Sequence, residues 1–285
     1  RIPEHTRHNF SHIKGVLINI FKIVSNRLEW KIKDNGKVVL NEDFKIEYSK
    51  SSFGFNFWEL YYLLMATIYH DADLLYGRAS HGKKLTNILE LENDIEIKGY
   101  PLKDICNIAK AHTGKGVIED IKPKNAFSPN NKVRINIHFL AAILRIADEF
   151  HEGAERTNKI QLENFIDEKS KKFHYFSWMV HDVSFNSINK QINLTLILRF
   201  EASHDNEFKK EIKDFIIERI EKYFHQLEYC CKFDIKNMLY NKLKLVIIYY
   251  KRNNSEATYV YSIEERKQLK IFKEKLNEIF VNEIL

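Results

Sequence analysis

The feature that most constrains this chain is an apolar run that stops on two ligand-type side chains, LLMATIYHDAD, in which Leu63 to Tyr69 lead into His70-Asp71. The stretch Phe57–Tyr69 is too apolar for a surface helix and reads as a buried central one. Its end then delivers two short side chains to a concave pocket. A histidine opens an earlier apolar stretch (His12, in RHNFSHIKGVLINIF), and lone histidines follow at His81 (RASHGKK) and His112 (AKAHTGKG). A second apolar helix, HFLAAILRIADEF, ends on Asp148. Imidazole nitrogens and carboxylate oxygens are the ligands that borderline and hard divalent metals take. Groups of that kind on or beside strongly apolar helices describe a metal site built inside a helical bundle.

Each group also has a plainer reading. His70-Asp71 can be a hydrogen-bonded helix end, His12 an amphipathic-helix histidine, and His81 and His112 ordinary histidines. A plain surface carboxylate suits Asp148 poorly, because the negative end of a helix disfavours an anion unless a cation is close. The second His-Asp dipeptide, His181-Asp182, sits in the alternating segment FSWMVHDVSF and reads as exposed strand residues.

The order and setting of these residues resemble the HD-domain metal-dependent phosphohydrolases, whose pattern runs H…HD…D with extra histidines before the last Asp in two-metal members. The resemblance covers roughly residues 3–157 and is strongest in LLMATIYHDAD and LAAILRIADEFHEGAERT. Thr6-Arg7-His8 before His12, and Arg156 after Asp148, look closest to the stand-alone HD group found beside bacterial conflict (defence) systems. The resemblance implies His12, His70, Asp71 and Asp148 as the core ligands, with Asp71 able to bridge two metals. His81 and His112 then bind a second metal, or hold substrate phosphate or shuttle a proton if one metal binds. His8, on the same helix face as His12, reads as a supporting or substrate group.

A bound divalent ion lowers the pKa of water from about 16 toward ~7, which supplies hydroxide at neutral pH. Cationic side chains complete a clamp on the phosphate: Arg78 and Lys84 flank His81, Lys115 follows His112, and Arg145 and Arg156 surround Asp148. The guanidinium fork matches phosphate better than an ammonium, which ranks Arg78 and Arg156 above the lysines. The catalytic set expected from this is Asp71, His81, His112, Arg78 and Lys115, with His8, Lys84, Arg145 and Arg156 on the substrate. Mixed His/carboxylate ligation leaves Mn, Mg, Ni, Co, Fe and Zn open.

Along the chain, residues 7–28 read as a helix with Ile13, Val16, Leu17, Ile20, Phe21 and Val24 at helical spacing. An Asn35-Gly36 turn marks a hairpin insertion at 29–50. Further helices are expected from Lys83 to Leu91, from Pro101 to Ala111 and from Val133 to Phe150. After Arg156 the period changes. Phe173–Asp182 and Gln191–Glu201 alternate, 206–231 reads as a long helix, 243–252 as a strand, and 263–284 as a charged helix. The expected fold is mainly α: an HD-type helical bundle over 1–157, then a small α+β domain over 158–285. That second domain either shapes the substrate entrance or mediates homo-oligomer formation.

A net charge of +6 over 285 residues favours anionic partners but falls short of a nucleic-acid-binding tail. The three cysteines, two of them adjacent, fit neither a disulfide framework nor a CxxC zinc site, so a reducing cytoplasm is the simplest context. No apolar run reaches membrane-spanning length and no signal peptide is visible, so no membrane partner is expected. The leading expectation is hydrolysis of a phosphoester of a nucleotide or related small molecule. A metal-dependent HD nuclease acting on single-stranded nucleic acid, and a non-catalytic nucleotide-sensing regulatory protein, are the alternatives.

Overall fold

The computed structural model of the chain describes residues 10–25, 30–32, 38–40, 55–72, 102–113, 117–122, 125–128, 133–157, 168–198, 200, 204–236, 239–250, 257–263 and 266–281. The fold is mainly α with small sheets, as expected. It divides into two compact units. One comprises Ile13–Asp148 with Cys230–Leu239; the other comprises Glu149–Tyr229 and Tyr240–Leu285 with the N-terminal residues through His12.

In the first unit, helix α1 (Phe10–Ser25) buries Val16, Ile20 and Ile23 at spacings of four and three. Phe21, which the same period placed on the apolar face, is 57% exposed. Strands β1 (Trp30–Ile32) and β2 (Val38–Leu40) pair antiparallel on either side of Asn35-Gly36, with Trp30 opposite Leu40. Helix α2 (Phe57–Tyr69) starts at a capping box: Asn56 Oδ1 accepts from Glu59 N at 2.9 Å, and Glu59 Oε2 accepts from Asn56 N at 3.1 Å. It is not enclosed on all sides, as its composition had implied. Glu59, Tyr62, Leu63, Ala66 and Thr67 are buried, while Phe57, Leu64 and Ile68 are 52%, 45% and 45% exposed. Apolar content says how much surface a helix can bury, whereas its neighbours decide how much it does bury.

Helix α3 (Leu102–Lys110) buries Ile105, Cys106, Ile108 and Ala109, and packs against α2. A short hairpin of β3 (Asn125–Phe127) and β4 (Arg134–Asn136) follows. Ser128 N donates to Val133 O at 2.8 Å and Val133 N donates back to Ser128 Oγ at 3.0 Å, which closes the turn. The apolar pattern through Val133 and Ile135 predicts helix at residues 134–136, which form β4 instead. Helix α4 (Ile137–Glu149) begins only after Asn136, whose Oδ1 caps it by accepting from Phe139 N at 2.9 Å. Every residue of α4 from Ile137 to Ala147 is buried, so α4 rather than α2 is the central helix. Each large apolar side chain enclosed there contributes about 1.5–3 kcal/mol.

The segment Cys230–Leu239 belongs to this unit too. Its Lys236 reaches the buried carboxylate of Glu59 between the rings of Phe55 and Phe139, with Nζ 5.1 and 5.6 Å from their centroids. Phe233 meets His138 edge-on at 5.6 Å, and His138 Nε2 donates to Ile121 O at 3.0 Å.

In the second unit, helix α5 (Glu168–Met179) runs directly into β5 (Val180–Asn186). Residues 173–179 had read as alternating. They are helical, with Ser170, His174 and Ser177 buried at spacings of four and three beside Tyr175, Phe176 and Met179. A dense aromatic run satisfies both periods, so periodicity alone does not separate them. The sheet runs β5-β6-β7-β8, with β6 at Gln191–Leu198, β7 at Lys242–Tyr250 and β8 at Ala257–Ile263. β6 and β7 are parallel, which requires a crossover, and α6 (Asn206–Cys231) lies within it. Register places buried Ile192, Leu194 and Leu196 opposite buried Leu243, Leu245 and Ile247. Ile263, expected to open the last helix, instead ends β8, and α7 starts at Leu269 and ends at Ile279. His181 and Asp182 are exposed on β5.

Candidate metal centre

His70 follows the last residue of α2 and keeps helical dihedrals (φ −56°, ψ −33°). That geometry turns its ring back along the helix, where Nδ1 lies 2.7 Å from Thr67 O. A carbonyl only accepts, so Nδ1 carries a proton and Nε2 is the nitrogen turned toward the carboxylates. Nε2 lies 3.2 Å from Asp71 Oδ2 and 3.7 Å from Asp148 Oδ1. His112 repeats the device at the end of α3: its Nδ1 donates to Ala109 O, and its Nε2 is 3.6 Å from Asp71 Oδ1. The two imidazoles stand nearly perpendicular, 4.8 Å between centroids, with one Asp71 oxygen toward each.

The ligand atoms of His70, Asp71 and His112 all lie within 4.8 Å of one another. Bonds of ~2.1 Å to one ion separate tetrahedral ligands by about 3.4 Å, close to the contacts found here. The donor set therefore fits a divalent ion: two imidazoles whose Nε2 atoms face carboxylates, and carbonyls behind them that hold Nδ1–H. The electrostatics agree. Burial alone would push the His70 imidazolium down, but the charges of Asp71 and Asp148 outweigh it and hold the group well above its ordinary value. The two carboxylates favour a positive charge at this point.

α4 presents Asp148 at its end and, three residues earlier on the same face, buried Arg145, whose Nη1 donates to Ala111 O at 3.3 Å. Asn19 of α1 donates from Nδ2 to Ala147 O at 3.0 Å, beside Asp148.

His12 is buried in the first turn of α1, and its Nδ1 lies 2.8 Å from Nδ1 of His151. Arg156 donates from Nη1 to His151 O at 2.7 Å and lies 3.6 Å from Glu152 Oε2. Glu152 also accepts from Ser177 Oγ at 2.9 Å and from Arg219 Nη2 at 2.7 Å, while Arg219 Nη1 is 3.2 Å from Glu149 and Lys222 2.8 Å from it. Burial works against ionisation of Glu152, yet Arg156 and Arg219 hold its carboxyl below the usual range. Both arginines expected on substrate, Arg145 and Arg156, thus place a donor on a main-chain carbonyl. Glu149, Glu152 and Arg219 are not among the residues expected from the sequence. An arginine amid the apolar stripe Ile212, Ile216, Ile220 and Tyr223 of α6 was the available signal.

Of the expected site residues, the structure brings together His70, Asp71, His112 and Asp148. His8, Arg78, His81, Lys84 and Lys115 lie outside the described residues.

The family model HD-CE matches residues 79–226, just over half of the chain. The chain belongs to the HD-CE family. The matched stretch includes His112, Asp148, Glu152, Arg156 and Arg219, whereas His12 and the His70-Asp71 pair precede it. No curated protein and no solved structure matches the chain. Membership in an HD-domain family suggests a metal-dependent hydrolase, and the His/Asp group of this HD-CE protein is compatible with that chemistry.

Proposed function

We propose that this HD-CE protein hydrolyses a phosphoester of a nucleotide or related small molecule, using one or two divalent ions held by His12, His70, Asp71, His112 and Asp148. The observation that carries the proposal is the convergence of His70 Nε2 and His112 Nε2 on the two oxygens of Asp71. That arrangement supports Asp71 as a bridging carboxylate. When bound, a divalent ion there supplies an acidified water and polarises a phosphoryl oxygen. Thr67 O and Ala109 O hold the imidazoles in the tautomer that leaves Nε2 open. His12 rests on the family order and on its buried place in α1. Arg78, Lys84 and Lys115 are assigned to the substrate phosphate from their positions beside His81 and His112 in the sequence, and His81 to the second ion. The resemblance to defence-associated HD proteins supports a role of that kind. Three cysteines that form no disulfide support the cytosol, and among the described residues no helix is long and apolar enough to cross a membrane.

The test is mass spectrometry of a mixed nucleotide panel incubated with metal-stripped protein and added Mn²⁺, Mg²⁺, Ni²⁺ or Co²⁺. The expected result is metal-dependent loss of one nucleotide, reduced to background in Asp71→Ala. Unchanged turnover in that variant would overturn the assignment.

A further inference from the structure

At the C-terminal end of α3 three consecutive carbonyls accept from side chains, the first two also from the His112 and Thr113 N–H groups. Ala109 O accepts from His112 Nδ1, Lys110 O accepts from Thr113 Oγ1 at 3.2 Å, and Ala111 O accepts from Arg145 Nη1 at 3.3 Å. The first two donors are local to the turn. The third comes from α4, 34 residues away in sequence, and it grips the peptide immediately before His112.

We infer that Arg145 is a positioning residue that sets His112 against Asp71, rather than a group that binds substrate phosphate. The inference rests on the metal-centre reading of His112. Three features of the arrangement support it. Arg145 is buried, so its charge needs fixed acceptors, and the negative end of a helix supplies them. Its donor lands on the carbonyl whose peptide carries the His112 nitrogen, so the turn cannot rotate without breaking the bond. Arg145 and Asp148 share one face of α4, so a single rigid helix fixes Asp148 beside His70 and the main chain beside His112. His112 and Asp148 thus keep their spacing although they stand on different elements.

The test compares Arg145→Met, which removes the donors at similar volume, and Arg145→Lys, which keeps the charge, each in native and His112→Ala backgrounds. Mn²⁺ affinity is read by titration. Removing an outer partner of a ligand typically costs about tenfold or more in metal affinity. We expect a loss of about that size for Arg145→Met in the native background, partial recovery with Arg145→Lys, and no further loss once His112 is alanine. Equal losses in both backgrounds would overturn the inference. A second readout needs no metal: the ring resonances of His112 in ¹⁵N-histidine spectra should shift in Arg145→Met while those of His138 stay in place. Unmoved His112 signals would refute the role. If the native protein takes up no Mn²⁺, the metal-centre reading fails by itself, and the spectra of the metal-free protein still decide the role of Arg145. If Arg145→Met does not fold, Arg145→Lys carries both comparisons.

Discussion

Glu152 is buried among Arg156, Arg219 and Ser177, and its carboxylate is worth keeping only while those partners stay. Glu152→Gln should cost about 3 kcal/mol at neutral pH, because it leaves buried cations short of a counter-charge. The pH dependence has a definite sign. The folded pKa lies below the unfolded one, so the stabilising contribution is full above about pH 4.3 and is lost as pH falls through the folded value. Urea unfolding should therefore show a gap between native and variant proteins that is constant from pH 5 to 7 and narrower at pH 3. An equally wide gap at pH 3 would contradict this account. His70, Asp71, His112 and Asp148 were legible in the sequence because each ends an apolar stretch or follows one closely. Glu152 was not, because its partner Arg219 is 67 residues away and no local pattern joins them.

Among elements, those with one strong period were legible: α6 was expected over 206–231, where it is found, and α2 over 57–69 likewise. α5 and β4 were misread for one reason, namely that short apolar or aromatic runs satisfy the periods of helix and strand alike. The start of α4 could have been placed from its cap. Asn136 stands one residue before the helix and satisfies Phe139 N, so Asn136→Ala should cost ~1 kcal/mol. Denaturant melts would show it, and a loss below the error of the measurement would mean that the β3–β4 hairpin, not the cap, sets the start of the helix.

At the scale of the whole molecule, the expected boundary near residue 158 came from a change of period, which says nothing of a chain that leaves a unit and returns to it. Cys230–Leu239 has no period to read, and its contribution is a charge and a ring. Lys236 is the partner of Glu59, itself 3% exposed, in the first turn of the helix that ends at His70. Lys236→Met should cost about 3 kcal/mol or more by leaving a buried carboxylate without its counter-charge, and it should lower the unfolding midpoint of α2 and α4 together. Hydrogen exchange of those two helices is the measurement, and protection unchanged in both would count against a role for the Lys236–Glu59 pair. The same ten-residue return has a consequence for inheritance. A gene fragment that stops at Asp148 carries the proposed ligands but not Lys236 and Phe233, which meet Glu59 and His138. This part of the protein is therefore not a cassette that recombination can hand on alone; a transplant has to bring Cys230–Leu239 with it.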